Sequence, residues 1–173
     1  MHRDLALASC VILFVTPALA LDMPPRKAGL WEIKMTFETR SAPPQVMQHC
    51  IDAATDKMMN ASFGGMAKDS CSKQDMKMSG NTITVDSVCK FGNTTTTSHA
   101  VFTGDFNQAY TAKVTSRSEG GPPVPGVAPG QASNMTIEAK WTGACKPGQK
   151  PGDMIMPGGM KVNVLEMPGM QRR

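Results

Sequence analysis

The amino-acid sequence predicts a mainly β protein: a single curved antiparallel sheet, or half-open barrel, of six to eight strands with one short helix and two disulfides. Its 173 residues, 40% hydrophobic and 18% charged, suit one globular domain. Apolar and polar residues alternate with period two through most of the chain, as expected for strands buried on one face. Four cysteines follow the first twenty residues, an even number that favours two disulfides.

The strands follow from this alternation, taken in chain order. The first is predicted from Leu30 to Glu38, where tryptophan, isoleucine, methionine and phenylalanine alternate with polar residues. Similar runs, rich in β-branched residues and separated by Gly, Asn or Asp, predict further strands that pair as an antiparallel meander. These runs are Val46–Ile51, Ser72–Met78, Thr82–Phe91, Thr94–Thr103, Ala109–Ser118 and Met135–Trp141.

The best helical candidate extends from Ala53 to Phe63. Asp52 is a suitable N-cap, because its side chain can accept hydrogen bonds from the backbone N–H groups of the first turn. The early acidic residue Asp56 is also typical of a helix start. Gly64 and Gly65 predict the end of the helix.

The spacing of the cysteines favours one of their three possible pairings. Cys71 and Cys89 are equidistant from Gly80, within a segment that has the pattern of a β-hairpin. A turn centred there places the two cysteines opposite each other at bridging distance. By elimination, Cys50 then pairs with Cys145 and ties the two ends of the domain together. A zinc site is disfavoured, because the cysteines lack the close paired spacing of structural zinc motifs.

The same hairpin contains a conflict of register. Its methionines pair with the apolar residues of the second strand only around a two-residue Gly80-Asn81 turn, whereas the Cys71–Cys89 pairing needs a register one residue different. A shift of one residue reverses the face of every side chain. A β-bulge between Ser72 and Asp75 satisfies both pairings and is predicted there.

Residues 1–20 have the features of a cleaved export signal. Arg3 is followed by an apolar run from Leu5 to Val15 and then by the small-residue triplet Ala18-Leu19-Ala20. We therefore expect an exported protein, periplasmic or secreted. An alternative is a lipid anchor at Cys10, because the residues before it resemble a lipoprotein processing box. No later stretch has the roughly 20 apolar residues of a transmembrane helix.

Composition divides the rest of the chain into two parts. Residues 21–146 contain the predicted strands and form the antiparallel β domain, in which Gly120–Gly130 is a long exposed loop. Residues 147–173 form a C-terminal tail rich in proline, glycine and methionine, most of it irregular. Within the tail, Met154–Met156 and Val162–Leu165 are candidates for short extended pieces that cover an open edge of the sheet.

Several of these features together resemble a known family. They are the export signal, the sequence Ala28-Gly29-Leu30-Trp31-Glu32-Ile33, the sequence His49-Cys50-Ile51, the Cys71–Cys89 hairpin and the sequence Lys150-Pro151-Gly152-Asp153-Met154. The chain resembles the exported bacterial domain-of-unknown-function family numbered 3617. The resemblance implies a small exported bacterial protein and brings no activity and no functional residues with it.

Charge and motifs disfavour two classes of function. The net charge of +4 is spread along the chain, without the basic stripe and interleaved aromatics of a nucleic-acid binder. A metal-spaced histidine pair, a phosphate loop and a nucleophile elbow are all missing from the sequence. His99, beside Ser98, is interpreted as a surface histidine, and Asp75 and Asp86 as solvated carboxylates across the hairpin. We expect a protein that is not an enzyme and has no cofactor.

Methionine is unusually frequent, with 15 residues against two Trp, one Tyr and six Phe. Flexible thioether side chains fill cores and line adaptable apolar surfaces. The leading hypothesis is therefore a non-enzymatic envelope protein that binds an apolar small molecule, a lipid or a protein segment in a methionine-rich groove.

Two alternatives stay open. Thioethers also bind Cu(I), which makes a periplasmic copper carrier the first of them. Its candidate ligands are Met154, Met156 and Met160 with His99 or His49, and Met76 with Met78 as a further thioether pair. The second alternative is a structural or interaction protein of the envelope that presents the 120–130 loop and the C-terminal tail to a partner protein.

Overall fold

Nine strands form one open antiparallel sheet. A computed structural model describes residues 23–39, 42–122, 126–128 and 130–167, leaving aside the side chains of residues 62–68. The strands are β1 Gly29–Phe37, β2 Gln45–Ile51, β3 Cys71–Ser79, β4 Thr82–Phe91, β5 Thr94–Asp105, β6 Ala109–Glu119, β7 Ser133–Gly143, β8 Asp153–Ile155 and β9 Lys161–Asn163. Helix α1 is Ala53–Ser70, and a 3-10 turn follows at Val164–Glu166.

The strand order across the sheet is β3-β4-β5-β6-β7-β1-β2-β8-β9. The predicted mainly β architecture, with one antiparallel sheet, one helix and two disulfides, is confirmed. Consecutive strands β3 to β7 form the predicted meander, and β1 then inserts between β7 and β2. The sheet has one strand more than the upper limit predicted, because the C-terminal segment adds the three-residue strands β8 and β9.

Helix α1 begins where the sequence predicts and extends further. The carboxylate of Asp52 accepts a hydrogen bond from the backbone N–H of Thr55 (2.8 Å), and the Asp52 N–H donates to the Thr55 hydroxyl (2.9 Å). This reciprocal cap fixes the first turn. The predicted end at Gly64-Gly65 is wrong, because the helix continues to Ser70. Each glycine weakens a helix by only about 1 kcal/mol, which is too little to end one that other contacts hold.

The position of α1 requires a strongly curved sheet. The helix starts just after β2 ends at Ile51 and leads directly into β3 at Cys71. In a flat sheet these two points would be about 29 Å apart across the strands and about 40 Å apart along them. The 18 residues of α1 cover only about 27 Å. Twist and curvature of the sheet must therefore bring its opposite corners together.

Both predicted disulfides are present. Cys71 pairs with Cys89 across the β3–β4 hairpin, and Cys50 pairs with Cys145, with Cα atoms 5.4 Å apart in the second bond. The hairpin turn is Gly80-Asn81, and the positive φ of Gly80 (58°) suits the first position of such a turn. The register shifts between Cys71 and Lys73, so the predicted bulge is present, with Ser72 as its extra residue.

The N-terminal predictions fall outside the described part of the chain. The export signal of residues 1–20 and the alternative lipid anchor at Cys10 belong to residues 1–22, which the structure does not describe. Among the described residues, no helix is long and apolar enough to cross a membrane.

The C-terminal segment is anchored to the edge of the sheet. Strand β8 pairs with β2, and β9 pairs with β8. The backbone N–H of Gly152 donates to the carbonyl of Cys50 (2.8 Å), and that of Val164 donates to the carbonyl of Gly152 (2.9 Å). Residues 153–155 and 161–163 therefore extend the sheet beyond β2, as short extended pieces of the kind that the sequence suggests.

Candidate functional site

One face of the sheet carries apolar side chains from all its long strands. The strand registers align them in rows, because directly paired residues of antiparallel strands share a face. One row across β4, β5, β6, β7 and β1 consists of Val85, Ala100, Val114, Met135 and Phe37. The adjacent row consists of Ile83, Phe102, Ala112, Ile137 and Met35. Of these ten residues only Ile83 and Ala112 are fully buried, so this apolar face is incompletely covered.

The same face is closed at one end. Trp31, Ile51 and Ala139 form its buried cluster, which Ile33, Tyr110 and Trp141 pack against. Phe106 stacks on Tyr110, with ring centroids 4.6 Å apart. The apolar face thus has a packed end beside a half-open region, and the two rows lie in the half-open region.

Residues 26–28, called the strap below, connect helix α1 to the sheet at the packed end. The carboxylate of Asp56, only 1% exposed, accepts hydrogen bonds from the backbone N–H and from the Nε of Arg26, both at 2.8 Å. The indole of Trp31 donates to the carbonyl of Lys27 (2.8 Å), and the indole of Trp141 donates to the carbonyl of Ala28 (3.0 Å). A buried ion pair and two indole hydrogen bonds therefore join the strap to α1 and the sheet.

His49 is a buried imidazole within this packed end. Its side chain is 1% exposed, and its Nε2 has no hydrogen-bond partner among the described residues. Burial and the neighbouring Arg26 lower the pKa of His49 to about 4, and Asp56 opposes them only partly. The imidazole is therefore neutral at physiological pH, with one nitrogen unpaired.

The opposite, polar face carries a pocket of about 360 Å³ around His99. The Nδ1 of His99 lies 2.7 Å from the Oδ1 of Asp86 on the neighbouring strand. A hydrogen bond to the His99 side chain lowers the pKa of Asp86. Both side chains are about half exposed, which agrees with the interpretation of His99 as a surface histidine. Ser98 precedes His99 on β5 and so points to the other face.

The structure separates the residues proposed for copper. His99 lies on β5, four strands removed from β2 and on the polar face, whereas Met154 on β8 pairs with His49 on the apolar face. Met160 is 62% exposed in the turn between β8 and β9. The combination of the C-terminal methionines with His99 is therefore not assembled, whereas His49 and Met154 are brought together. Among the described residues, no three His, Cys, Asp or Glu side chains cluster as metal ligands.

Asp153 fixes the C-terminal hairpin through a fully buried carboxylate. Lys161 Nζ lies 2.7 Å from its Oδ2, and Asn163 Nδ2 donates to its Oδ1 (2.7 Å). Burial acts to raise the pKa of Asp153, but hydrogen bonds from Lys161, the Lys150 backbone and Asn163 outweigh it and lower the pKa to about 2. The carboxylate therefore stabilises the fold fully above its ordinary pKa of 3.8, and this contribution is lost as the pH falls towards 2.

Replacing Asp153 by asparagine is thus expected to lower the free energy of unfolding at neutral pH. The difference from the wild-type protein should shrink as the pH falls from about 4 to about 2. Urea unfolding across that range measures the gap. The control is Glu166→Gln, which removes the partner of Lys150 in a pair whose side chains are both two-thirds exposed. Its effect should stay small at every pH. A difference in unfolding free energy between Asp153→Asn and wild type that is constant with pH would contradict the stabilising role of the Asp153 carboxylate.

The roles of Arg26, Asp56 and Met47 near His49 were not predicted from the sequence. Arg26 and Asp56 are 30 positions apart, and neither shows a local pattern that identifies its partner. Met47 alternates with His49 on β2, so the two share a face. The period-two spacing of Met47 and His49 was visible in the sequence and could have indicated that they share a face.

The fold and this face define a class of protein: an open antiparallel sheet, linked by disulfides, with one incompletely covered apolar face. Residues 26–145 match the model of a family described as "Protein of unknown function (DUF3617)". The chain belongs to this family, as its resemblance indicated. No curated protein and no solved structure matches it. The matched region begins at Arg26 of the strap and ends at Cys145, and β8 and β9 follow it.

Proposed function

We propose that this chain is an exported, non-enzymatic protein that binds an apolar ligand, a lipid with a long acyl chain, on the half-open region of its apolar face. The observation that carries the proposal is the half-burial of the two apolar rows across five strands. Monomeric soluble proteins rarely expose large contiguous apolar patches unless these have a binding role.

The dimensions of the rows support a chain-like ligand. Five adjacent strands cover about 19 Å at the usual spacing, which is within reach of a long acyl chain. Methionines at Met35 and Met135 give the surface flexible side chains, which adapt to ligands of varied shape. Two disulfides agree with an oxidising compartment and hence with export to the periplasm or beyond.

The test is a titration of the intact, oxidised protein with a fluorescent long-chain fatty acid. Replacing Met35 and Met135 together by glutamine keeps the side-chain length and makes both positions polar. The double variant is expected to bind about tenfold or more weakly, because losing about 60 Å² of apolar contact corresponds to about 1.5 kcal/mol. Thr136→Gln is the control, since Thr136 is the neighbour of Met135 on β7 and lies on the opposite face.

Two outcomes would overturn the proposal. The first is no saturable binding of the fatty acid by the wild-type protein. The second is equal weakening by the Thr136→Gln control and the methionine double variant, which would place the probe elsewhere on the surface. Thermal unfolding of each variant verifies that all of them are folded.

A further inference from the structure

Two pairs of soft ligands lie side by side at the β2–β8 edge of the apolar face. On β2, Met47 and His49 alternate and so share a face, and Met154 lies on β8, with Met156 one residue beyond its end. The register pairs His49 directly with Met154. Continued by two residues, the same register places Met47 opposite Met156. One imidazole and three thioethers therefore belong to one small area of the apolar face.

The buried nitrogen of His49 indicates a ligand at this place. Its Nε2 is inaccessible and unpartnered among the described residues, and an unsatisfied buried polar atom destabilises a fold by about 1–3 kcal/mol. Nearby Arg26 is paired with Asp56, which offsets part of its positive charge at His49.

We propose that Met47, His49, Met154 and Met156 bind a single Cu(I) ion. Thioether sulfur is a soft ligand that selects Cu(I), whereas Mg²⁺ and Ca²⁺ need oxygen ligands. The three methionines are half-buried, so their side chains are partly accessible from solvent. This site differs from the set suggested by the sequence in that Met47 replaces Met160, whereas His49 is one of the two histidines that the sequence offered. It is independent of the acyl-chain proposal.

The test is a titration of the oxidised full chain with Ag(I), a stable analogue of Cu(I) that needs no reductant and so leaves the disulfides intact. Native mass spectrometry gives the stoichiometry, and competition with a chelator gives the affinity. One bound ion is expected. Met154→Leu and Met156→Leu should each weaken binding about tenfold or more, because each removes one ligand without changing side-chain bulk much.

Two methionines serve as matched controls. Met160→Leu changes the same hairpin at a side chain that is 62% exposed, and Met78→Leu changes the far edge strand β3. Neither replacement should alter the affinity. The ring ¹⁵N signals of His49 provide a second readout and should shift on addition of Ag(I). Absence of a stoichiometric complex, unshifted His49 signals, or equal weakening in the control variants would each overturn the site.

Discussion

Replacing Asp56 by asparagine is expected to lower the free energy of unfolding by about 3–5 kcal/mol. The carboxylate of Asp56 is 1% exposed, and the side chain of its partner Arg26 is 10% exposed. Removing the negative charge leaves the guanidinium of Arg26 largely buried without a counter-ion, and that is far more unfavourable than losing a surface pair. Urea unfolding at neutral pH measures the difference.

A matched control comes from the exposed pair of Lys34 and Glu138. Both of these side chains are about half exposed, so Glu138→Gln should change the stability by less than about 1 kcal/mol. A second control replaces Arg26 by methionine and Asp56 by leucine together, and it should destabilise the protein less than Asp56→Asn alone. A loss below about 1 kcal/mol for Asp56→Asn would contradict the burial of an uncompensated charge.

The sheet could be predicted because its main determinants are local. Period-two alternation records which face of each strand is buried, and turn residues mark where each strand ends. The Cys71–Cys89 bond followed from the symmetric placement of the two cysteines about Gly80. Even the bulge at Ser72 was predictable, because two pairings in one hairpin required different registers.

The end of α1 depended on a tertiary constraint instead. Glycine preference is a weak local effect, and it predicted an end at Gly64-Gly65. The helix extends to Ser70 because the chain must travel from β2 to the opposite corner of the sheet, where β3 begins. That requirement is set by the placement of β1 and β2 beyond β7, which no pattern in the sequence specifies.

The candidate sites were predictable to different extents. The methionine-rich apolar face follows from the alternation, since Met35 and Met135 lie at inward positions of predicted strands. The partner of Met154 does not follow from it, because alternation within a strand does not specify that β8 pairs with β2. His49 therefore becomes its neighbour, and His99 lies on the other face.

Removing the Cys50–Cys145 disulfide is expected to destabilise the protein more than removing Cys71–Cys89. In the chain-entropy model the stabilisation grows with the length of the closed loop. The two sequence separations are 95 and 18 residues. The model gives about 4.7 kcal/mol for the first bond and about 3 kcal/mol for the second. Urea unfolding of the two double cysteine-to-alanine variants measures both losses under identical conditions.

The longer bond also has a local role that the loop model omits. The carbonyl of Cys50 accepts the backbone N–H of Gly152, at the point where the chain enters β8. Loss of the Cys50–Cys145 bond should therefore speed amide hydrogen exchange in β8 and β9 before it affects the meander. The Cys71–Cys89 variant is the control, because its bond lies at the opposite edge of the sheet. Equal losses of stability, together with unchanged exchange in β8, would show that β-sheet pairing alone holds the C-terminal hairpin in place.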